Sequence, residues 1–77
     1  MKVVLSCVGG SAEYLPQGGK KIEVRAEAGE TVEDVLKRLS VSKDLFMFAL
    51  ANGEKVDLSY RVREGDDLVL VSPLTGG

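Results

Sequence analysis

The sequence predicts an α+β fold in which two strands, one helix and two or three further strands form a small sheet covered by the helix. Three observations carry this prediction: a β-branched run near residue 1, one capped amphipathic segment, and an Asn-Gly pair followed by a late apolar run. Strands on both sides of a single helix are typical of this class. We expect residues 1–72 to form one domain and residues 73–77 to form an exposed tail.

The first two strands are predicted from opposite patterns. Residues 2–8 are β-branched and apolar up to a Gly-Gly-Ser cluster, which predicts a buried strand. Residues 11–19 are rich in turn formers and predict a loop without a good helix. Residues 20–26 alternate between apolar and charged side chains, so they predict a half-exposed strand that pairs with the first as a loose hairpin.

The helix is marked by its start and by its spacing. Thr31 is predicted as the N-cap, and Asp34 takes the reciprocal position of a capping box. One apolar stripe follows at positions i, i+3, i+4 and i+7, formed by Val32, Val35, Leu36 and Leu39. We expect a helix of about eight to ten residues that covers one face of the sheet.

The later strands are marked by turns. Residues 45–51 predict a third strand, and Asn52-Gly53 tolerates the positive φ angles of a type I′ turn. Residues 54–56 are therefore expected to return as a short strand. Residues 67–72 predict the final strand, which ends at Pro73 because proline cannot donate a ladder hydrogen bond.

The predicted third strand is apolar on both faces, with Phe46 and Phe48 on one face and Met47 on the other. One helix covers only one face of a sheet, so Phe46, Met47 and Phe48 are expected to contribute to an exposed docking patch for a partner protein. The alternative is that residues 9–19 or 57–62 fold over this face.

Composition limits the classes of function. The chain has 77 residues, of which 44% are hydrophobic and 29% charged, and its net charge is −2. Nucleic acid is not an expected partner, because there is no basic excess to neutralise phosphates. Membrane insertion is not expected, because no apolar run approaches about 20 residues. The single Cys7 cannot form an internal disulfide, which favours a cytoplasmic protein.

The side chains offer little internal chemistry. The chain has no histidine, the commonest general base and metal ligand. Cys7 has no histidine to activate it and is expected to pack as a small hydrophobe. The carboxylates lie at turns and at the helix start, so they are expected to be solvated or capping groups. We therefore expect no catalytic residue, no metal and no bound cofactor, and a protein that is not itself an enzyme.

The terminal carboxylate offers a different chemistry. A partner could use ATP to convert it into an acyl adenylate, whose leaving group is far better. Gly76 and Gly77 put no Cβ beside the reacting carbonyl, and four extended residues reach about 13 Å into a narrow groove. Gly77 is thus the expected attachment point, and Leu74, Thr75 and Gly76 are the expected recognition residues of the tail.

The order of elements, and above all residues 64–77 with their Gly-Asp turn, apolar strand, Pro73 and terminal Gly-Gly, resembles the MoaD/ThiS family of ubiquitin-like sulfur carrier proteins. The resemblance implies a β-grasp fold, with a mixed sheet of four to five strands, one main helix on one face and a flexible tail. It also implies that an adenylating enzyme related to ubiquitin-activating enzymes uses ATP and Mg to activate the carboxylate of Gly77. Sulfur from a sulfur donor protein then gives a thiocarboxylate.

The resemblance implies an acceptor for the sulfur as well. In the molybdopterin branch the carrier is the non-catalytic small subunit of molybdopterin synthase and inserts its tail into the large subunit. In the thiamine branch it serves thiazole synthase. The pathway stays open, as do two other functions: a ubiquitin-like modifier joined through Gly77 to lysines of target proteins, and a plain binding module that uses the strand-3 patch.

Overall fold

The computed structural model describes residues 1–73, and each predicted strand and the helix is present there, the helix with seven residues and not the eight to ten expected. The regular elements are β1 (Lys2–Val8), β2 (Ile22–Arg25), α1 (Val32–Arg38), β3 (Phe48–Ala51), β4 (Glu54–Val56) and β5 (Asp67–Val71). Short 3-10 turns lie at Ala12–Tyr14 and Lys43–Leu45, and Pro16–Gly19 forms a turn in which Gln17 and Gly18 have positive φ angles of 56° and 69°. None of the helical segments within this range has the length and apolar character needed to cross a bilayer.

The strands within residues 1–73 form one mixed five-stranded sheet in the order β2-β1-β5-β3-β4. β1 and β5 run parallel at its centre, with Val4 opposite Asp67 and Val8 opposite Val71. The other three pairs are antiparallel. A parallel pair requires a long crossover connection, and the chain between β1 and β5 supplies one that includes α1. The predicted β-grasp fold is confirmed.

The first turn of α1 has its backbone donors satisfied from two directions. Thr31 Oγ1 accepts a hydrogen bond of 3.1 Å from the amide of Asp34, and the Asp34 carboxylate accepts one of 3.0 Å from the amide of Thr31. This is the predicted capping box. The amides of Val32 and Glu33 donate to the backbone carbonyls of Tyr60 and Leu58 in the 57–62 connector. A helix leaves its first four amide donors without partners inside the helix. Because the connector accepts from two of them, it is held against the start of α1.

The core lies between α1 and one face of the sheet. Its fully buried side chains alternate along the strands with side chains of the opposite face, as the period of two requires. The largest of them are Leu5, Leu36, Leu68, Leu70, Val3, Val32 and Val35. Truncating any of the leucines to alanine would cost about 2–5 kcal/mol, so this layer is the main source of stability.

Two predictions about the later strands have different outcomes. The type I′ turn is confirmed, since Asn52 and Gly53 have φ angles of 53° and 88° and β4 returns beside β3. The third strand begins at Phe48 and not at residue 45, because the Ser42 hydroxyl accepts from the amide of Asp44 and stabilises a 3-10 turn there. Because of this turn, the residues before Phe48 do not follow the alternation between the two faces of the sheet that the sequence predicted.

Candidate docking face and tail root

One face of the sheet carries apolar side chains that α1 does not cover. We call it the open face, formed by the apolar side chains of Val4, Val8, Phe48, Leu50, Val69 and Val71 together with the polar side chain of Ser6. All of them are half-buried except Val8, which is 53% exposed, whereas their neighbours on the other face, such as Leu68 and Leu70, are 0% exposed. The contrast along single strands identifies an apolar surface open to partners.

The strand register brings the open face together in rows. Val8, Val71 and Phe48 lie side by side on three adjacent strands. Lys55 lies above the Phe48 ring, with its Nζ 4.8 Å from the centroid. Such a cation–π contact places a positive charge at the rim of the apolar row. The open face therefore has an apolar centre and a charged edge.

One predicted member of the docking patch is not at the surface. Phe46 is 6% exposed and belongs to the core, because the chain bends at Met47 before β3 begins. Phe46 and Phe48 therefore lie on opposite faces, and the expectation that they share one is wrong. Met47 is 62% exposed, and Phe48 is half-buried on the open face. We keep Met47 and Phe48 as candidate docking residues.

The two segments that could have folded over the open face lie elsewhere. In residues 9–19, Leu15 is 5% exposed and joins the core cluster. In the 57–62 connector, Tyr60 and Leu58 pack against the same cluster. Both segments therefore contribute to the core side, which answers the alternative left open by the sequence.

The tail begins beside the row formed by Val8, Val71 and Phe48. We call Ser72 and Pro73, where it begins, the tail root. Met47 donates its amide to the carbonyl of Val71 at 2.8 Å, and Ser72 and the exposed Pro73 follow directly. The remaining predicted tail residues, Leu74, Thr75, Gly76 and Gly77, lie outside the described residues, so their roles stay predictions. The apolar row and the point where the tail starts are thus neighbours.

A protein-family comparison adds the deciding observation. The model of the ThiS family matches residues 11–77, most of the chain. This chain belongs to the ThiS family. The ThiS-family match spans every element from the first 3-10 turn to β5 and the terminal Gly-Gly. It therefore includes the tail and the open-face residues of β3 and β5, whereas those of β1 lie before its start. A comparison with curated protein sequences gave no significant match.

A comparison of structures supports the same fold for this ThiS-family protein. It is similar to the crystal structure of SAMP1 from Haloferax volcanii, with a TM-score of 0.73 and 23% identity over 100% of both chains. The ThiS-family match places the chain among the ubiquitin-like sulfur carriers and modifiers. At this identity the structural likeness concerns the fold.

Cys7 is placed as the sequence predicted. It pairs with Leu70 in the register of β1 and β5 and packs partly buried against the core. Burial raises the pKa of the Cys7 thiol above its usual value. A raised pKa disfavours the thiolate, which is the nucleophilic form, so Cys7 has the character of a packing residue.

Asp66 and Ser72 are the buried polar residues of the described chain, 4% and 2% exposed. The sequence placed Asp66 among solvated or capping carboxylates, which is wrong for its burial. It accepts hydrogen bonds from Asn52, Tyr60 and the amide of Arg63 at 2.8–2.9 Å. Burial alone would raise the pKa of Asp66, but these hydrogen bonds outweigh it and lower the pKa. Asp66 is a structural anchor at the start of β5.

Proposed function

We propose that this protein is a sulfur carrier. A partner adenylating enzyme of the ubiquitin-activating type activates the carboxylate of Gly77, and the resulting thiocarboxylate donates sulfur in molybdopterin or thiamine cofactor biosynthesis. The observation that carries the proposal is the ThiS-family match, which extends through Gly76 and Gly77. The open face beside the tail root supports it, because a carrier must dock while its tail reaches a separate catalytic centre.

The proposed chemistry takes place in two steps. A carboxylate oxygen of Gly77 attacks the α-phosphorus of Mg-ATP, pyrophosphate leaves, and an acyl adenylate forms. A sulfide-level nucleophile supplied by the sulfur donor then attacks the carbonyl carbon, and AMP leaves with the bonding electrons. The carrier contributes the carboxylate and its delivery, whereas ATP, Mg and the catalytic groups belong to the partner. The missing side chain of Gly76 keeps the approach to the carbonyl open.

Intact mass tests the proposal directly. The protein is incubated with the adenylating enzyme of the same organism, Mg-ATP and a sulfide source, and its mass should rise by about 16 Da as one oxygen is replaced by sulfur. Gly76→Val should abolish the increase while leaving thermal unfolding unchanged, because the valine side chain crowds the partner's groove. An unchanged mass for the wild type with an enzyme that activates another carrier would refute the proposal.

The docking role of the open face has its own test. Met47→Glu puts a charge beside the apolar row, and we expect the KM for the carrier in adenylation to rise about tenfold or more, the size of an interface hot spot. Ala28→Glu is the matched control, since it introduces the same charge at an exposed apolar position before α1. Equal KM values for the two variants would remove the open face from the proposal.

A second candidate is a ubiquitin-like modifier joined through Gly77 to lysines of target proteins. The fold shared with SAMP1, a small archaeal modifier protein, favours this candidate. It uses the same activation, so the two differ in the fate of the activated glycine. Gly-Gly remnants on target lysines after digestion would favour the modifier, and thiocarboxylate without remnants would favour the carrier. If deletion of Gly77 left activity intact, the protein would be a plain binding module.

A further inference from the structure

The residue that precedes the tail is held more tightly than its exposed neighbour. Ser72 is 2% exposed, whereas Pro73 is exposed. The Ser72 amide and hydroxyl both donate to the carbonyl of Val8 at 3.2 Å. The same hydroxyl accepts from the amide of Ser11 at 3.2 Å. The side chain of Ser72 therefore continues the pairing of β5 with β1 for one residue beyond the strand.

Gly9 makes room for this hydroxyl. Its φ angle is +105°, in the region that favours glycine, and a Cβ at this position would lie 2.1 Å from Ser72 Oγ. Any other residue would occupy the space that the hydroxyl fills, in addition to straining the backbone. The Gly-Gly-Ser cluster after β1 thus does more than end a strand.

Ser11 extends the contact to a third segment. Its hydroxyl donates to the carbonyl of Leu45 at 3.1 Å, in the 3-10 turn that leads to Met47. Two serine hydroxyls therefore connect three segments: the end of β1, the end of β5 and the 3-10 turn that precedes Met47. We call Gly9, Ser11 and Ser72 the clasp.

We propose that the clasp fixes the point at which the tail leaves the docking face, and that Ser72 is a positioning residue for the activation of Gly77. This inference rests on the proposed function. From Ser72 the five tail residues reach about 16 Å when extended, so a fixed starting point fixes where the carboxylate arrives relative to the docked open face. Without the clasp, residues 72 and 73 would themselves have to be ordered at each activation.

The cost of losing the clasp follows from backbone entropy. Ordering one residue corresponds to a factor of roughly five to thirty in an equilibrium constant. The Ser72 amide still donates to Val8 when the hydroxyl is removed, so only part of this factor is expected. The loss concerns delivery of the tail and not docking, so it should appear in kcat with KM unchanged, the opposite of the effect of Met47→Glu.

Ser72→Ala and Gly9→Ala test the inference. Their adenylation by the same partner enzyme is measured as the rate at which pyrophosphate is released. We expect kcat to fall about fivefold for Ser72→Ala, and further for Gly9→Ala, with KM within twofold of the wild type. Ser59→Ala is the control for an exposed serine. Gly29→Ala is the control for glycine strain, since Gly29 has a φ of +86° and open space around its Cβ position. Both controls should keep the wild-type kcat.

The effects of the two substitutions on kcat should not be additive in the double variant, because both substitutions break the same contact. Amide exchange of Ser11 measured by NMR reports the clasp without enzyme, and it should be faster in Ser72→Ala than in Ser59→Ala. A folded Ser72→Ala with wild-type kcat would overturn the inference and leave the proposed function standing. A change in KM alone would make Ser72 a docking residue and would also overturn it. A wild type that is never activated would overturn both.

Discussion

The two ends of β5 are each held by a buried polar side chain, but the two anchors differ in charge and in strength. Asp66, before the strand, is a carboxylate with three donors at 2.8–2.9 Å. Ser72, after the strand, is a neutral hydroxyl with contacts of 3.2 Å. Hydrogen bonds to an ionised group are roughly twice as strong as neutral ones, so most of the polar stabilisation lies at the Asp66 end.

The difference indicates that one strand serves two purposes. The Asp66 end joins the β3–β4 turn to β5, because Asn52 both donates to Asp66 and accepts from the amide of Asp67. The Ser72 end contributes less to stability and lies where the tail starts. The Asp66 end stabilises the fold, and the Ser72 end sets the position of the residues that follow β5. A domain that folds first and then presents its last residues needs both. Four predictions test this division.

Asp66→Ala should have the largest effect on stability. It leaves the buried donors of Asn52, Tyr60 and Arg63 without their acceptor, and we expect the free energy of unfolding to fall by about 3–4 kcal/mol. Thermal unfolding followed by circular dichroism should show a midpoint lower by roughly 15 °C or more. Asp57→Ala, at an exposed aspartate, is the control. A loss below about 1 kcal/mol would contradict the division.

Acid should weaken the Asp66 end next. The pKa of Asp66 is lowered in the folded state, so its contribution is present above the unfolded pKa of about 3.9 and is lost as pH falls through the folded pKa. Urea unfolding below about pH 4 should show a steep acid limb in the wild type and a shallower one in Asp66→Asn. Some slope should remain, because hydrogen bonds from Thr31 lower the pKa of Asp34 too. Equal slopes would contradict the assignment.

Alkali should act on the same end through Tyr60. The hydrogen bond to Asp66, followed by burial, raises the pKa of the Tyr60 hydroxyl. Its contribution is therefore present below the unfolded pKa of about 10 and is lost as pH rises through the folded pKa. Tyr60→Phe should cost about 1.5 kcal/mol at neutral pH and should flatten the alkaline limb. Tyr14→Phe, at a tyrosine that is 57% exposed, is the control and should not lower the free energy of unfolding at neutral pH.

Ser72→Ala should have the smallest effect on stability, about 1 kcal/mol for neutral hydrogen bonds. The hydroxyl does not titrate, so the difference from the wild type should be the same at pH 3, 7 and 10, to within about 0.3 kcal/mol. The same urea series checks this. A loss as large as that of Asp66→Ala would mean that the tail root carries the fold.

The parts of the fold that could be predicted from the sequence rest on local patterns. Thr31 and Asp34 are three residues apart, and Asn52 and Gly53 are adjacent, so their geometry depends on chemistry within one turn. Phe46 could not be placed in this way, because the bend at Met47 puts its side chain on the face opposite to the one that strict alternation predicts. A period of two makes every such slip change the face of all residues before it.

The candidate site was predictable in kind but not in its fine structure. An apolar face without a covering helix could be inferred from one helix and a two-faced strand. The clasp could not, because Ser72 and Ser11 are separated by 61 residues and serine gives no periodic signal. The burial of Asp66 escaped for the same reason, since Asn52, 14 residues away, supplies one of its donors.

The parallel pairing of β1 and β5 has a mechanical consequence. A partner that pulls on the residues after Ser72 applies its force along β5, which lies between two neighbouring strands in the sheet. Such a force loads the register from Val4–Asp67 to Val8–Val71 in shear, so the hydrogen bonds of this pair share the load and do not open one at a time. The domain should therefore resist unfolding by a force applied at its carboxyl-terminal end.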